Sequence, residues 1–484
     1  MRDIVENPRN AKILAASGAA VTMIGLAFVV AHGTPITFAL GLAVILALPL
    51  FYLAIERPLL FPFGLYAAMV PFDDILNFGH VGTINKFIGI LAFGAILFMM
   101  LRRGEISKPS PAVLAWMALG VWMGVSGFWA LDSKAWLLAY LTFAQLFLLY
   151  ALLTLTIATK EDIRALCTAI VVGGMAASAF AIGPFIHGFN DKGRLTLPGG
   201  NPHDPVDPNQ FAAALLLPFA ILFATTLSTK KAMPLIFNIA GLALLAITIV
   251  LTGSRAAMLS LVVVLFFMVI RSRHRVLALG LLVVSAGAVV PFAMKVQERF
   301  SSAISSGGAG REDIWKVAII ALKQHWLFGA GFASFPAAYD SAVLQAPLQM
   351  YVGWHRAPHN LVIATSVELG IVGIVLVALA LFMEYRNMAR LPRIGGFMDE
   401  LRVAFQATLL AICLDALFLD LTNRKYLWLL FIMMALLRST VLNEAASRRD
   451  RRRTTCVASS LPIPDRTSDQ PKLHESPNLL QTAG

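Results

Sequence analysis

The chain has 484 residues, of which 58% are hydrophobic and only 14% charged, with a formal net charge of +12 and a mean hydropathy of +0.75. Soluble domains carry about a quarter charged residues, so an ordinary soluble globular protein is excluded. The basic excess does not point to nucleic acid either, because most Lys and Arg residues sit in short connections between apolar runs.

Taken in chain order, apolar runs long enough to cross a bilayer as helix recur near residues 11–31, 36–54, 59–72, 86–101, 112–131, 135–158, 163–186, 209–227, 233–251, 256–270, 275–295, 359–384, 403–419 and 425–440. The first is too long for a signal-peptide core and has no clear cleavage site, so it reads as a retained span. Backbone groups in lipid must be satisfied within the segment, which makes these runs helices. The expected fold class is an all-α polytopic membrane protein with about 12–14 transmembrane helices. Cys167, Cys413 and Cys456 are isolated, the first two within apolar runs, which leaves no disulfide framework or zinc spacing.

With the N-terminus in the cytoplasm, alternation assigns Arg102, Arg103 and Lys108 to the inner side. Lys160, Arg164, Lys230, Lys231, Arg271, Arg273, Arg275, Arg386, Arg390, Arg393 and Arg402 fall there too. Outer connections at 32–35, 73–85 and 132–134 are poor in Lys and Arg, so the positive-inside rule expects both termini in the cytoplasm. Residues 187–208, 252–255, 296–358 and 420–424 then lie outside. The expected transmembrane domain covers 1–440, including outer loops 187–208 and 296–358. From 441 to 484 the Arg448, Arg449, Arg451, Arg452 and Arg453 cluster and the polar sequence after it read as a disordered basic cytoplasmic tail resting on anionic lipid.

Four outer features could carry chemistry. The loop from Gly193-Arg194 to Asp207-Pro208-Asn209 is rich in turn residues, and Asn209 lies where a helix cap would sit. Arg255, in Thr252-Gly253-Ser254-Arg255, stands between two apolar runs, where an ionisable group needs a cavity or a partner. Arg311 follows a Gly307–Gly310 hinge and opens a helix whose Ile314, Val317, Ala318 and Ala321 form one apolar stripe. Arginine at a helix entry suits phosphate, because its planar fork gives paired, charge-assisted hydrogen bonds. His359, in Pro358-His359-Asn360, sits where the long loop meets the next span and can exchange a proton near neutral pH. His187, His203, His325 and His355 read as loop residues, and Lys316 and Lys323 as a solvated face. No Walker motif, acidic metal pair or His/Cys cluster is present, and Asp73-Asp74 reads as structural.

These residues together resemble the O-antigen ligase and O-antigen polymerase superfamily. The resemblance rests on Arg194…Asp207-Pro208-Asn209, Gly253-Ser254-Arg255, Gly310-Arg311…Trp315…Gly329-Ala330-Gly331 and His359-Asn360…Glu368-Leu369-Gly370, over roughly residues 190–385. It implies a GT-C-like glycosyltransferase of the bacterial inner membrane, active on the periplasmic side, in cell-surface polysaccharide (lipopolysaccharide) biosynthesis. The implied donor is an undecaprenyl-diphosphate-linked glycan; the acceptor is lipid A–core or another glycan. No cofactor, metal, nucleotide or nucleic acid is implied. Arg194, Arg255 and Arg311 would hold the donor diphosphate, His359 would serve the acceptor hydroxyl, and Asn209, Asn360 and Glu368 would support them. The motifs do not separate ligase from polymerase. The alternative is a small-solute, bicarbonate-like membrane transporter.

Overall fold

The computed structural model describes residues 49–73, 75, 83–199, 206–292, 294, 297, 301, 311–346 and 353–460. The expected first span, most of the second, Asp74, His203 and the Gly307–Gly310 hinge lie outside the described residues. Among the described residues eight helices are long and apolar enough to cross a membrane, and there is no strand beyond an isolated bridge between Asp191 and Arg194. Every expected span from 59–72 onward coincides with a helix.

The early helices are α1 (Phe63–Met69), α2 (Ile84–Arg103), α3 (Ala112–Val125), α4 (Ser133–Thr154) and α5 (Lys160–Ile186). Then come α6 (Pro208–Ala214), α7 (Leu216–Ser228), α8 (Ala232–Leu251), α9 (Arg255–Arg271) and α10 (Arg275–Val289). The last group is α11 (Arg311–His325), α12 (Phe335–Ala342), α13 (Leu361–Ala389), α14 (Phe397–Asp415) and α15 (Lys425–Ser460). Local signals set several starts. Asp132 accepts from the Ala135 amide, Thr159 and Asp162 form a capping box, and Ser254 and Asn360 cap α9 and α13.

Burial divides the helices into a centre and a shell. The hydropathic stretch across α6 and α7 is 89% buried and that of α15 is 83% buried, whereas the spans of α2, α4, α8, α10 and α13 are at most 39% buried. A helix apolar all round and enclosed is a bundle core; one that keeps half its surface free faces lipid. α14 is also central despite its composition: Asp399, Glu400, Arg402 and Gln406 are all buried. At the centre Trp428 packs against Trp116, Phe143, Tyr150 and Phe431, and Tyr150 and Trp116 donate to the Glu384 carboxylate at 2.6 and 3.3 Å.

The connections sort into two ends. At one, Arg102 pairs with Glu56, Lys160 with Glu444, and Arg273 with Asp399, at 2.8 to 3.0 Å. At the other, Lys425 pairs with Asp73, Leu131 donates to the Ala330 carbonyl, and Leu361 donates to the Ala416 carbonyl. This is the partition that strict alternation of spans requires, and His359 belongs to the second end. Asp73 thus has a structural partner.

α15 continues to Ser460, past residue 441, where composition predicts a disordered tail. The tail begins with helix formers, and Glu444 joins it to Lys160 and, one turn on, to Arg448 at 3.0 Å. Residues 461–484 lie outside the described residues.

Candidate functional site

The segment 190–194 is a tight turn in which the Asn190 side chain accepts from the Gly193 amide at 2.7 Å and Asp191 and Arg194 exchange backbone bonds. The turn aims Arg194 inward. Its Nε donates to the Thr252 carbonyl at 2.8 Å and its Nη2 to Asn209 Oδ1 at 2.7 Å. One half-buried guanidinium therefore ties together the loop, the α8–α9 break and the start of α6.

Asn209 is not the cap that its position suggests. Asp207 is the N-cap and accepts from the Asn209 amide, with Pro208 at the first helical position. Asn209 Nδ2 also donates to Asp207 Oδ1 at 2.9 Å, which turns its amide oxygen toward Arg194. An Asp-Pro pair before an apolar run is itself a helix-start signal, and it locates the start two residues early.

Arg255 is the first residue of α9, set there by the left-handed Gly253 (φ 64) and the Ser254 cap. Arg311 is the first residue of α11. Burial lowers the proton affinity of Arg311 first, the Arg255 charge lowers it further, and Asp207 raises it. The two guanidinium groups and the Asp207 carboxylate thus share one field. His359 lies in the same field: burial, then Arg311, hold its imidazole below its ordinary value, Asp207 and Asp420 push it up, and Arg356 pushes it down. Arg255, Arg311 and His359 are all half-buried, whereas Asp207 and Asp420 are exposed.

His359 is fixed by its neighbours. Asn360 caps α13, accepting from the Ile363 amide at 3.0 Å. His359, one residue earlier, adopts φ +48, a conformation unusual for a residue with a Cβ. Trp315, one turn into α11, donates to the Pro358 carbonyl at 3.1 Å, which latches the Arg311 helix to the His359 strand of chain. The expected apolar stripe is buried in full: Ile314, Val317, Ala318 and Ala321 pack with Phe335, Tyr339 and Val367. Of the expected solvated lysines, Lys316 instead bonds Asp313 at 2.9 Å; Lys323 is exposed. His355 pairs with Asp340 at 2.6 Å.

The two glycine-bearing motifs meet each other. α13 breaks at Gly370 (φ 65, ψ −162), and residues 326–331 dock into the break. Ala330 donates to the Val367 carbonyl, Gly331 to that of Glu368, and Ile371 to that of Trp326, at 2.8 to 2.9 Å; Trp122 Nε1 takes the Leu369 carbonyl at 3.0 Å. A Cβ on Gly329 would stand 2.2 Å from the Glu368 carbonyl oxygen, and one on Gly370 2.2 Å from that of Leu327. Glu368 is buried and accepts from the Phe335 amide at 3.2 Å. It therefore anchors the loop helices and does not touch the Arg–His group through any of these bonds.

Asp207, Asp420 and Arg356 are members of this group that the motifs do not single out. Asp420 and Arg356 carry no local signal, being single charges in loops. Among the described residues no group of three or more His, Cys, Asp or Glu side chains is placed to hold a metal ion. The arrangement offers three cations and a titratable ring at one end of an apolar bundle, which suits an anion tethered to lipid.

Residues 240–378 match the family model described as O-Antigen ligase. The matched segment contains Arg255, Arg311, His359, Asn360, Glu368 and the close-approach glycines Gly329 and Gly370, while Arg194 and Asn209 precede it. No curated protein matches the chain.

Proposed function

We propose, for a chain that belongs to the O-antigen ligase superfamily through its residues 240–378, that the Arg194–Arg255–Arg311–His359 group transfers a glycan from an undecaprenyl-diphosphate carrier to an acceptor hydroxyl. The superfamily membership makes this a multi-pass membrane protein of polysaccharide biosynthesis with ligase- or polymerase-type activity. The donor, the acceptor (lipid A–core or another glycan), independence of metal and nucleotide, and a periplasmic site in the inner membrane with both termini cytoplasmic belong to the proposal. The observation that carries it is the shared field of Arg255, Arg311, Asp207 and His359 at one end of the bundle.

The chemistry follows from charge. A glycosyl diphosphate departs when the negative charge growing on its bridging oxygen is compensated, and pre-aligned guanidinium groups do that with paired bonds. His359, kept below its ordinary proton affinity by burial and by Arg311, is neutral at neutral pH, as a base must be. It takes the proton of the acceptor hydroxyl while that oxygen bonds the anomeric carbon. The bond from that carbon to the diphosphate oxygen breaks, its electron pair goes to the diphosphate, and the configuration inverts. The transporter alternative expects a site near the midplane on broken helices. The cations here gather at the bundle end, which supports transfer. The surplus of arginines at the opposite end supports the proposed orientation.

The test is transfer of labelled glycan from a purified undecaprenyl-diphosphate donor in membranes carrying the chain. Arg311→Ala should abolish transfer in protein that still folds and inserts, and Arg311→Lys should restore only part of it, because lysine keeps the charge and loses the fork. Near-normal product from Arg311→Ala would reject the diphosphate role.

A further inference from the structure

The chain that leads into His359 is built from unusual backbone. Gly353, His355 and His359 have φ of 85, 57 and 48, and residues 356–360 form no regular element. A residue with a Cβ stays in the left-handed region only where its surroundings impose it. Two contacts do so here. At one end Asp340 holds His355 twice: the backbone N–H donates to Oδ1 at 2.7 Å, and the ring Nδ1 lies 2.6 Å from Oδ2. At the other end Trp315 Nε1 donates to the Pro358 carbonyl at 3.1 Å.

The two pins stand on different helices. Asp340 is a half-buried residue of α12, whose start is fixed by the bond from the Phe335 amide to Glu368. Trp315 belongs to α11, which Arg311 opens. Residues 355–358 thus form a strap pinned at both ends, and Arg356 is exposed along it. Charges reach His359 from four places: Arg311 at the start of α11, Asp207 at the start of α6, Asp420 in the loop after α14, and Arg356 on the strap. Of these, Arg356 is the one whose place the strap decides. Without the Asp340 contact the strap would be tied at Pro358 and would pivot there. His359 would keep Trp315 and the Asn360 cap beside it, while Arg356 would swing into water, where salt and solvent screen its charge.

We propose that Asp340 is a positioning residue of the site: by clasping His355 it holds the strap against α12 and so sets where the Arg356 charge stands relative to His359. The clasp itself stands on the bonds and backbone above; its effect on turnover rests on the transfer reading.

The test follows the His359 ring by solid-state NMR in the full chain, labelled at histidine and held in lipid bilayers. The signal is assigned by its loss in His359→Gln. The sign of the change is diagnostic. Deleting a carboxylate that acts directly on an imidazolium lowers the ring's proton affinity, whereas displacing a neighbouring arginine raises it. Asp340→Ala should therefore raise the midpoint of the His359 titration, by as much as Arg356→Gln does. The double variant should match Arg356→Gln alone, as for two changes that act through one group. Asp340→Asn keeps an acceptor for the His355 amide and should give a smaller rise. If Asp340→Ala does not fold, His355→Asn decides. Asparagine tolerates the left-handed backbone and removes the ring half of the clasp, so the midpoint should again rise. An unchanged or lowered midpoint, or shifts that add in the double variant, would overturn the positioning role. In transfer assays the acid limb should move to higher pH together with the His359 midpoint. Failure of the transfer reading is separate: it shows as normal transfer by Arg311→Ala, whereas the His359 titration reads the clasp without any transfer.

Discussion

Arg194 donates through Nη2 to Asn209 Oδ1 at 2.7 Å, across fourteen intervening residues. The bond aims the arginine at the α8–α9 break, where Thr252 takes its Nε at 2.8 Å. Asn209 is free to do this because Asp207 does the capping.

Asn209→Ala should therefore leave α6 formed and the protein close to its normal thermal midpoint. It should lower transfer about ten-fold, mainly as weaker donor binding, the effect of releasing one charge-assisted contact. The measurements are the unfolding midpoint and the KM for donor. A large fall in midpoint with donor KM unchanged would make Asn209 a structural residue only.

The docking of residues 326–331 into the break of α13 gives a steric prediction. Gly329→Ala and Gly370→Ala each force a Cβ to 2.2 Å from a backbone carbonyl oxygen at a left-handed position. Each should destabilise by about 2 kcal/mol or more and reduce transfer, because the loop carrying Arg311 loses its seat. Gly94→Ala, where a Cβ meets nothing within 4 Å, should be neutral or slightly stabilising. Thermal unfolding of the three variants checks this; equal midpoints would contradict the docking.

The helices were legible from the sequence because apolar runs and capping residues are local. The stripe Ile314, Val317, Ala318 and Ala321 is legible for the same reason, and Arg194, Arg255, Arg311 and His359 stand out only as polar residues near apolar runs. What brings them together was not legible. The Trp315–Pro358 bond, the carboxylates Asp207 and Asp420 around His359 and the Gln210–Tyr426 pair join positions far apart in the chain with no periodic signature. The role of Gly329-Ala330-Gly331 emerges only once Glu368-Leu369-Gly370 lies against it. The continuation of α15 beyond residue 441 escaped for a different reason: charge composition predicts solvation, while the Lys160–Glu444 and Glu444–Arg448 pairs are tertiary and helical facts.

The pH dependence has a defined sign. Transfer needs neutral His359 and should fall on the acid side with a midpoint below the 6.5 of an ordinary imidazole. Arg356 lowers the His359 value, so Arg356→Gln raises it and moves the acid limb to higher pH. Asp420 raises it, so Asp420→Asn moves the limb to lower pH. Rate profiles of the three proteins test this, and a limb that ignores both charges would remove His359 from the titration.

If His359 activates the acceptor while the arginines hold the donor, His359→Ala, assayed for transfer and for donor binding separately, pulls the two roles apart. A general base contributes on the order of 10²–10⁴-fold. Transfer should fall by a factor in that range while donor binding stays intact. Normal transfer by His359→Ala would contradict it, as would loss of donor binding, which would instead make His359 part of the diphosphate site beside Arg311.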